Sequence, residues 1–313
     1  MQKLVRIGTR VSQLALWQAG LVKDLLTKNG IKSKLITIKS EGDLDLKTPL
    51  YEIGVQGIFT RALDIALLNN TIDLAVHSLK DIPTQLAQGI AQAAVLKRDN
   101  PKDLLVYKDD WRIPASGSNG EATGNRAIIA TSSIRRKAQW LHRFPGDKIE
   151  NLRGNVNTRL TKLKESNWNA AIFAAAGLER IGIRPKNSVE LDWMLPAPAQ
   201  GTVAVVCRED DQEILSACLP FHDENSWQCT KIERDFLRAL LGGCSTPIAA
   251  LAEIEHDEIY FRGNLLSPDG KHKVEVEKIL PLEKAADLGK IAAAELLTQG
   301  GDKIIVQLSH AEK

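Results

Sequence analysis

Between Leu4 and Val206, short apolar strand-like runs alternate with segments of helical period, and this alternation constrains the fold most. Such a chain buries its strands in sheets covered by helices on both faces. Leu4–Ile7, Lys34–Ile38 and Asp73–Val76 read as strands. Ser12 is positioned to cap a helix whose apolar residues Leu14, Leu16, Trp17, Leu21, Val22, Leu25 and Leu26 recur at helical spacing, and Gly57–Asn69 reads as a second helix. After a small, polar stretch at Ala115–Gly124 the pattern restarts. Strands are expected at Ala127–Ala130, Ile149–Leu152 and Ala170–Ala174, with helices from Ser132 or Ser133 and from Asn155. Leu195–Gly201 reads as a connection and Val203–Val206 as a further strand. From His222 the style changes: a helix over Ser226–Leu241, strands at Ala249–Glu253, Ile259–Leu265 and Val274–Leu280, and a last helix over Leu282–Thr298. This part reads as a separate α+β unit.

Composition narrows the function. Of 313 residues, 43% are hydrophobic and 26% charged, which excludes a disordered chain. Lys plus Arg number 41 and Asp plus Glu 39, a net charge of +2, so no global field favours nucleic acid or a membrane surface. Aromatics are 5% with no basic–aromatic stripe, a further argument against nucleic acid. No apolar run spans a bilayer and no secretory leader is read at the N-terminus. The four cysteines, Cys207, Cys218, Cys229 and Cys244, form no C-x-x-C pair and no zinc spacing, so no metal is expected and cytoplasm is the expected compartment.

Any anion site must therefore be a local cluster. Thr131-Ser132-Ser133-Ile134-Arg135-Arg136 and Leu152-Arg153-Gly154-Asn155-Val156-Asn157-Thr158-Arg159 both fall where a strand turns into a helix. Cations in a first helical turn oppose the helix dipole; a docked anion reverses that sign, because backbone N–H groups, hydroxyls and guanidinium forks then converge on it. The alternative is that these arginines swing into solvent or pair with surface carboxylates. Two such sites on consecutive strand ends favour the anion, since ligands of open α/β sheets bind beyond the carboxyl ends of strands. Arg10 with Ser12 makes a third site of the kind, although Ser12 needs no ligand to act as a cap. Arg180 follows another strand and suits the end of a helical turn. With no Walker loop and no G-x-G-x-x-G, a small polycarboxylate is preferred over a nucleotide. Ser78-Lys80-Asp81 ends a further strand, where Asp81 is either a solvated partner of Lys80 or a general acid or base. Cys244, after Gly242-Gly243, is either a small buried hydrophobe or a thiol presented on a loop.

Taken together and in order, these segments resemble the porphobilinogen deaminase (hydroxymethylbilane synthase) family. The resemblance runs from Arg6 to about Leu297. It is carried by Arg10-Val11-Ser12 with Leu14–Gln18, Val76–Pro83, Thr131–Arg136, Leu152–Leu160, Ala176–Arg180, Pro196–Gly201 and Gly242–Cys244. It implies condensation of four porphobilinogen units into linear hydroxymethylbilane with loss of ammonia, primed by a dipyrromethane cofactor joined by a thioether to the matching Cys244. Each pyrrole carries an acetate and a propionate, so the growing chain is the polycarboxylate that the arginines suit.

On this resemblance Asp81 is the catalytic carboxylate, assisting departure of ammonia and stabilising positive charge on pyrrole nitrogens. Cofactor contacts are implied for Ser78, Lys80, Asp43, Thr131, Ser133, Arg135, Arg136 and Arg159. Substrate contacts are implied for Arg10, Ser12, Gln18, Phe59, Arg153 and Arg180. The family's usual T-R-G-D appears here as Ser40-Glu41-Gly42-Asp43, and its G-G-K-G-L-F as Gly54-Val55-Gln56-Gly57-Ile58-Phe59, so two expected cations are Glu41 and Gln56. The implied fold is α/β, with two type 2 periplasmic-binding-protein-like domains (1–98 with 199–217, and 102–195) and a C-terminal α+β domain (219–313). A monomer without nucleic-acid or membrane partners is expected. Two other readings stay open from the residues alone: a dicarboxylate-binding module with no use for Asp81 and Cys244, and a hydrolase with Cys244 as nucleophile, which needs a nearby His.

Overall fold

The structure is a computed structural model that describes residues 4–40, 57, 59–108, 111, 126–240 and 246–311. Elements are numbered along these residues. They begin β1 (Val5–Thr9), α1 (Gln13–Lys28), β2 (Ser33–Thr37), α2 (Arg61–Leu68), β3 (Leu74–Ser78), β4 (Ile90–Val95), β5 (Asp103–Tyr107) and β6 (Ile128–Ala130). Next come α3 (Ile134–Arg143), β7 (Lys148–Glu150), α4 (Val156–Glu165), β8 (Ala170–Ala174), α5 (Ala175–Glu179), β9 (Ser188–Glu190) and β10 (Val203–Arg208). The chain closes with α6 (Gln212–Cys218), α7 (Glu224–Ala239), β11 (Ile248–Glu255), β12 (Glu258–Leu266), β13 (Lys273–Pro281), α8 (Leu288–Leu296) and α9 (Asp302–Ala311).

Two five-stranded sheets share one plan. The first has the order β2-β1-β3-β10-β4 and the second β7-β6-β8-β5-β9. In each, three strands are parallel and a fourth, β10 or β5, is inserted antiparallel beside them. Those two inserted strands lie directly beyond the two chain segments that cross between the sheets, 96–102 and 191–202. Both faces of each sheet are buried. On β10, Val203, Val205 and Cys207 pack with Val22 and Leu26 of α1, while Ala204 and Val206 pack with Leu63 and Leu67 of α2. On β5, Leu104 and Leu105 divide in the same way between two cores. A strand buried on both faces carries apolar residues at every position, which is why these runs show no alternation.

The third sheet, β11-β12-β13, is antiparallel and covered on one face. Ile248, Ala250, Ile259, Phe261 and Leu265 meet Ile232 and Phe236 of α7 and Leu288 and Ala292 of α8. The α/β class expected from the sequence, followed by a C-terminal α+β unit, is the one observed.

One local reading is corrected. The single last helix is instead a short turn at Leu282–Lys284, then α8, then α9. Gly300 breaks the run at φ 106°, a conformation costly for any residue with a Cβ. No sequence pattern marks strands β4, β5 and β9 or helices α5, α6 and α9; β9, α5 and α6 are short, and α9 follows the glycine break.

Candidate active site

The carboxyl ends of β1, β3, β6 and β7 converge on one cleft of about 450 Å³. Ser12 caps α1, its hydroxyl accepting from Ala15 N at 3.3 Å, and Ser133 caps α3 by accepting from Arg136 N at 3.4 Å. Asn155 caps α4 by accepting from Thr158 N at 3.0 Å. Each cap fixes the strand-to-helix corner that carries a cation. Arg10, Ser12, Phe59, Ser78, Lys80, Asp81, Thr131, Ser133, Arg135, Arg136, Arg153 and Arg159 all line the cleft. The Arg10 guanidinium lies 4.2 Å from the centre of the Phe59 ring, a cation–π pair. Gln18, buried beneath, donates to Ser78 Oγ at 2.9 Å.

Arg135 and Arg136 are 4% and 6% exposed and are held by Asp103, which is fully buried. Arg136 donates Nε (3.1 Å) and Nη2 (2.7 Å) to Asp103 Oδ1 and Nη1 to Ile172 O (3.0 Å). Arg135 Nη2 pairs with Asp103 Oδ2 at 2.8 Å, and its Nη1 donates to Leu195 O at 2.6 Å. Burial alone would raise the Asp103 pKa; the two guanidinium charges and hydrogen bonds from Arg136 and Gln200 win, and it falls to about 2. One carboxylate thus balances two cations, leaving one charge over.

Arg159 and Lys80 report the resulting field. Burial first, and then the Arg136 charge, push Lys80 down to about 8, although Asp81 and Asp103 oppose this. Lys80 keeps some contact with solvent but is densely surrounded by protein atoms. Arg159, which donates Nε to Gly154 O at 2.7 Å, is pushed down to about 10 by burial and by Arg136, Arg153 and Arg10. His77, next to Ser78, is buried with no partner for Nε2 and is driven to about 4 by burial and by Arg10, so it is neutral at physiological pH.

Sequence reasoning missed three residues that hold this arrangement. Asp103 is the first. Gln200, fully buried, is the second: its Nε2 donates to Asp103 Oδ1 (2.8 Å) and Pro101 O (2.8 Å), and its Oε1 accepts from Lys80 Nζ (3.1 Å). In the sequence it stands within the matching segment Pro196–Gly201, which is itself a signal. The third is Glu233 of α7, fully buried, whose carboxylate accepts from Arg98 Nη1 (2.6 Å), Ala199 N (2.6 Å) and Ala252 N (2.8 Å). Ala199 has φ 63°, a strained value that this carboxylate helps to hold.

Arg180 has another place. It is not among the residues lining the cleft; its Nε donates to Asp99 Oδ2 at 2.8 Å and its Nη2 to Gly201 O at 2.6 Å, so it clamps the two crossings together. Asp43, Cys244, Glu41 and Gln56 lie outside the described residues. Among the described residues no cluster of His, Cys, Asp and Glu is fit to hold a metal ion, and no helix is long and apolar enough to cross a membrane.

The family model for porphobilinogen deaminase, dipyromethane cofactor binding domain, matches residues 5–216, and that for the porphobilinogen deaminase C-terminal domain matches residues 227–298. The chain belongs to the porphobilinogen deaminase family. As a porphobilinogen deaminase family member it is a transferase with hydroxymethylbilane synthase activity, and residues 5–216 are its dipyrromethane cofactor domain. It is similar to the porphobilinogen deaminase of Geotalea uraniireducens (strain Rf4), 38% identical over 99% of this chain and 96% of that one. It is equally similar to that of Syntrophomonas wolfei subsp. wolfei, 38% identical over 97% and 98% of the two chains. Among solved structures it is similar to an ancestral cationic amino acid solute binding protein, 12% identical, with a TM-score of 0.44, over 70% of this chain and 87% of that one.

Proposed function

We propose that this cleft is where porphobilinogen units are condensed. The carboxylates of cofactor and growing chain are held by Arg10, Arg153, Arg159 and Lys80, with hydroxyls from Ser12, Ser78, Thr131 and Ser133. Arg135 and Arg136 supply positive charge that Asp103 only half balances. Phe59 offers a ring face beside Arg10, and Gln18 orients Ser78. Arg180 acts by fixing the crossings rather than by touching substrate. The single observation carrying the reading is the crowding of cations: Lys80 and Arg159 each hold a charge that their neighbours oppose, and bound carboxylates relieve that opposition.

The cofactor, when bound, supplies the pyrrole that primes the condensation. Asp81, at the same cleft, faces the positive charge that develops as the aminomethyl nitrogen of porphobilinogen leaves as ammonia, and its carboxylate stabilises that charge. The guanidinium groups orient the substrate through its acetate and propionate, bringing the reacting carbons within reach. We assign the thioether to Cys244, with Asp43 at the pyrrole nitrogens, both on the strength of the matching segments. The chain divides into domains 1–98 with 199–217, 102–195 and 219–313, and acts as a monomer in the cytoplasm, where free cysteines such as Cys207, Cys218 and Cys229 persist.

The intact mass of the purified chain beside Cys244→Ser tests this, with ammonia release from porphobilinogen measured for both. One two-pyrrole adduct on the parent chain, lost with turnover in the variant, is expected. A parent chain that takes up no adduct and releases no ammonia after incubation with porphobilinogen overturns the reading in favour of a dicarboxylate-binding module.

A further inference from the structure

Helix α7 sends two adjacent side chains out of the C-terminal unit. Glu233 grips the crossings, as described above. Arg234 reaches the turn that bears Asp81. Its Nη1 donates to Leu79 O (3.2 Å) and Ile82 O (2.9 Å), and its Nη2 to Pro83 O (2.6 Å). These carbonyls flank Asp81 on both sides along the chain.

The turn needs such help. Leu79–Asp81 is a single 3₁₀ turn closed by Ile82 N donating to Leu79 O. The carbonyls of Ile82 and Pro83 lie beyond it and outside any helix or strand. Short 3₁₀ turns have poor hydrogen-bond geometry and little stability of their own. A guanidinium presents several donors in one rigid plane, which a lysine ammonium does not. On its other flank the turn is tied by Lys80 to Gln200 at 3.1 Å. The backbone around Asp81 is therefore held from two sides, once by the crossing and once by the C-terminal unit.

We propose that Arg234 is a positioning residue for Asp81. It fixes the backbone on either side of the carboxylate, and α7 thereby couples the carboxylate's position to the unit whose sequence carries Cys244. This rests on the reading of Asp81 as the catalytic carboxylate. A displacement of about 1 Å in a catalytic group costs up to about 100-fold in rate, so loosening the turn acts on turnover more than on substrate affinity.

The test uses the full-length, cofactor-loaded enzyme with Arg234→Lys and Arg234→Gln. Turnover is measured by ammonia release, divided by the cofactor content found from intact mass, and set beside KM and the melting temperature. Normalised kcat is expected to fall about tenfold or more in both variants, with KM within about twofold and the adduct still present. Placed in an Asp81→Glu chain, Arg234→Lys is expected to add less than about twofold, because residues acting as one unit are not additive. Unchanged normalised kcat with a lowered melting temperature overturns the proposal, as does loss of the adduct, equal losses in both backgrounds, or failure of both variants to fold. Asp81→Asn run alongside separates the two claims: wild-type turnover there refutes the reading of Asp81 itself, whereas loss of turnover there with no effect at Arg234 refutes only the positioning role.

Discussion

Asp103 accepts two hydrogen bonds from Arg136 on one carboxylate oxygen, at 3.1 and 2.7 Å, in the fully buried floor of the cleft. A fork of this kind removes an arginine from the pool free to meet a ligand and turns it into a fixed source of field. Removing the carboxylate charge strands two buried guanidinium groups. Asp103→Asn is expected to cost about 3–5 kcal/mol of stability at neutral pH, read by chemical denaturation. The folded pKa lies below the usual 3.8, so the charge contributes stability above that value and loses it as pH falls toward about 2. The gap between parent and variant therefore narrows across that acid window; a gap independent of pH there would contradict the assignment.

Lys80 gives a second pH signature, of opposite hand. Its folded pKa, about 8, lies below the ordinary 10.5, so between those values the unfolded chain binds more protons than the folded one. In a cofactor-free Cys244→Ser chain, stability contributed at this site rises with pH over that window. Catalysis moves the other way, because a neutral amine holds no carboxylate. The kcat/KM of the loaded enzyme is expected to fall on an alkaline limb between about 8 and 10.5, and Lys80→Arg to shift that limb upward. An unmoved limb in the variant assigns it to another group.

Asp81 lines the cleft beside several cations, and its proposed work is done only as charge develops. Asp81→Asn is expected to lower kcat by at least about 100-fold while leaving the melting temperature near that of the parent. Ammonia release and thermal unfolding on one preparation check both halves.

The Arg10–Phe59 contact should matter for binding. Phe59→Leu removes a ring face 4.2 Å from the guanidinium carbon. A loss of about 0.5–1 kcal/mol is about a two- to fivefold rise in KM, with kcat little changed.

The C-terminal unit also meets the arginine-bearing helix α3. Gly270, at φ 74°, accepts a contact from His142 Nδ1 at 2.8 Å, and an added Cβ would fall 2.5 Å from His142 N. Gly270→Ala is expected to destabilise by about 1–3 kcal/mol, through overpacking and an unfavourable φ, and differential scanning calorimetry reads the shift.

Much of this was legible in the sequence because it is local. Periodicity revealed β1, α1, β8 and α7, and hydroxyl or amide residues at strand ends marked the caps of Ser12, Ser133 and Asn155, since a cap depends only on residues three positions apart. The matching segments, read in order, led to the family. Local pattern does not reveal which cation meets which carboxylate. Asp103 finds Arg136 33 positions away and Gln200 97 away, and Arg234 finds Pro83 across 151. Those pairings exist because β5 and β10 return antiparallel into their sheets and bring the crossings against the cleft floor. Arg180 shows the same limit: its sequence neighbourhood is that of a ligand-binding arginine, and only the approach of Asp99 and Gly201 turns it into a clamp. The sequence by itself determined the elements, their caps and the surplus of cations at strand ends. The tertiary structure decided which of those cations Asp103 holds at the cleft and which, like Arg180, is drawn to the crossings, because electrostatic pairing depends on distance in space, not along the chain.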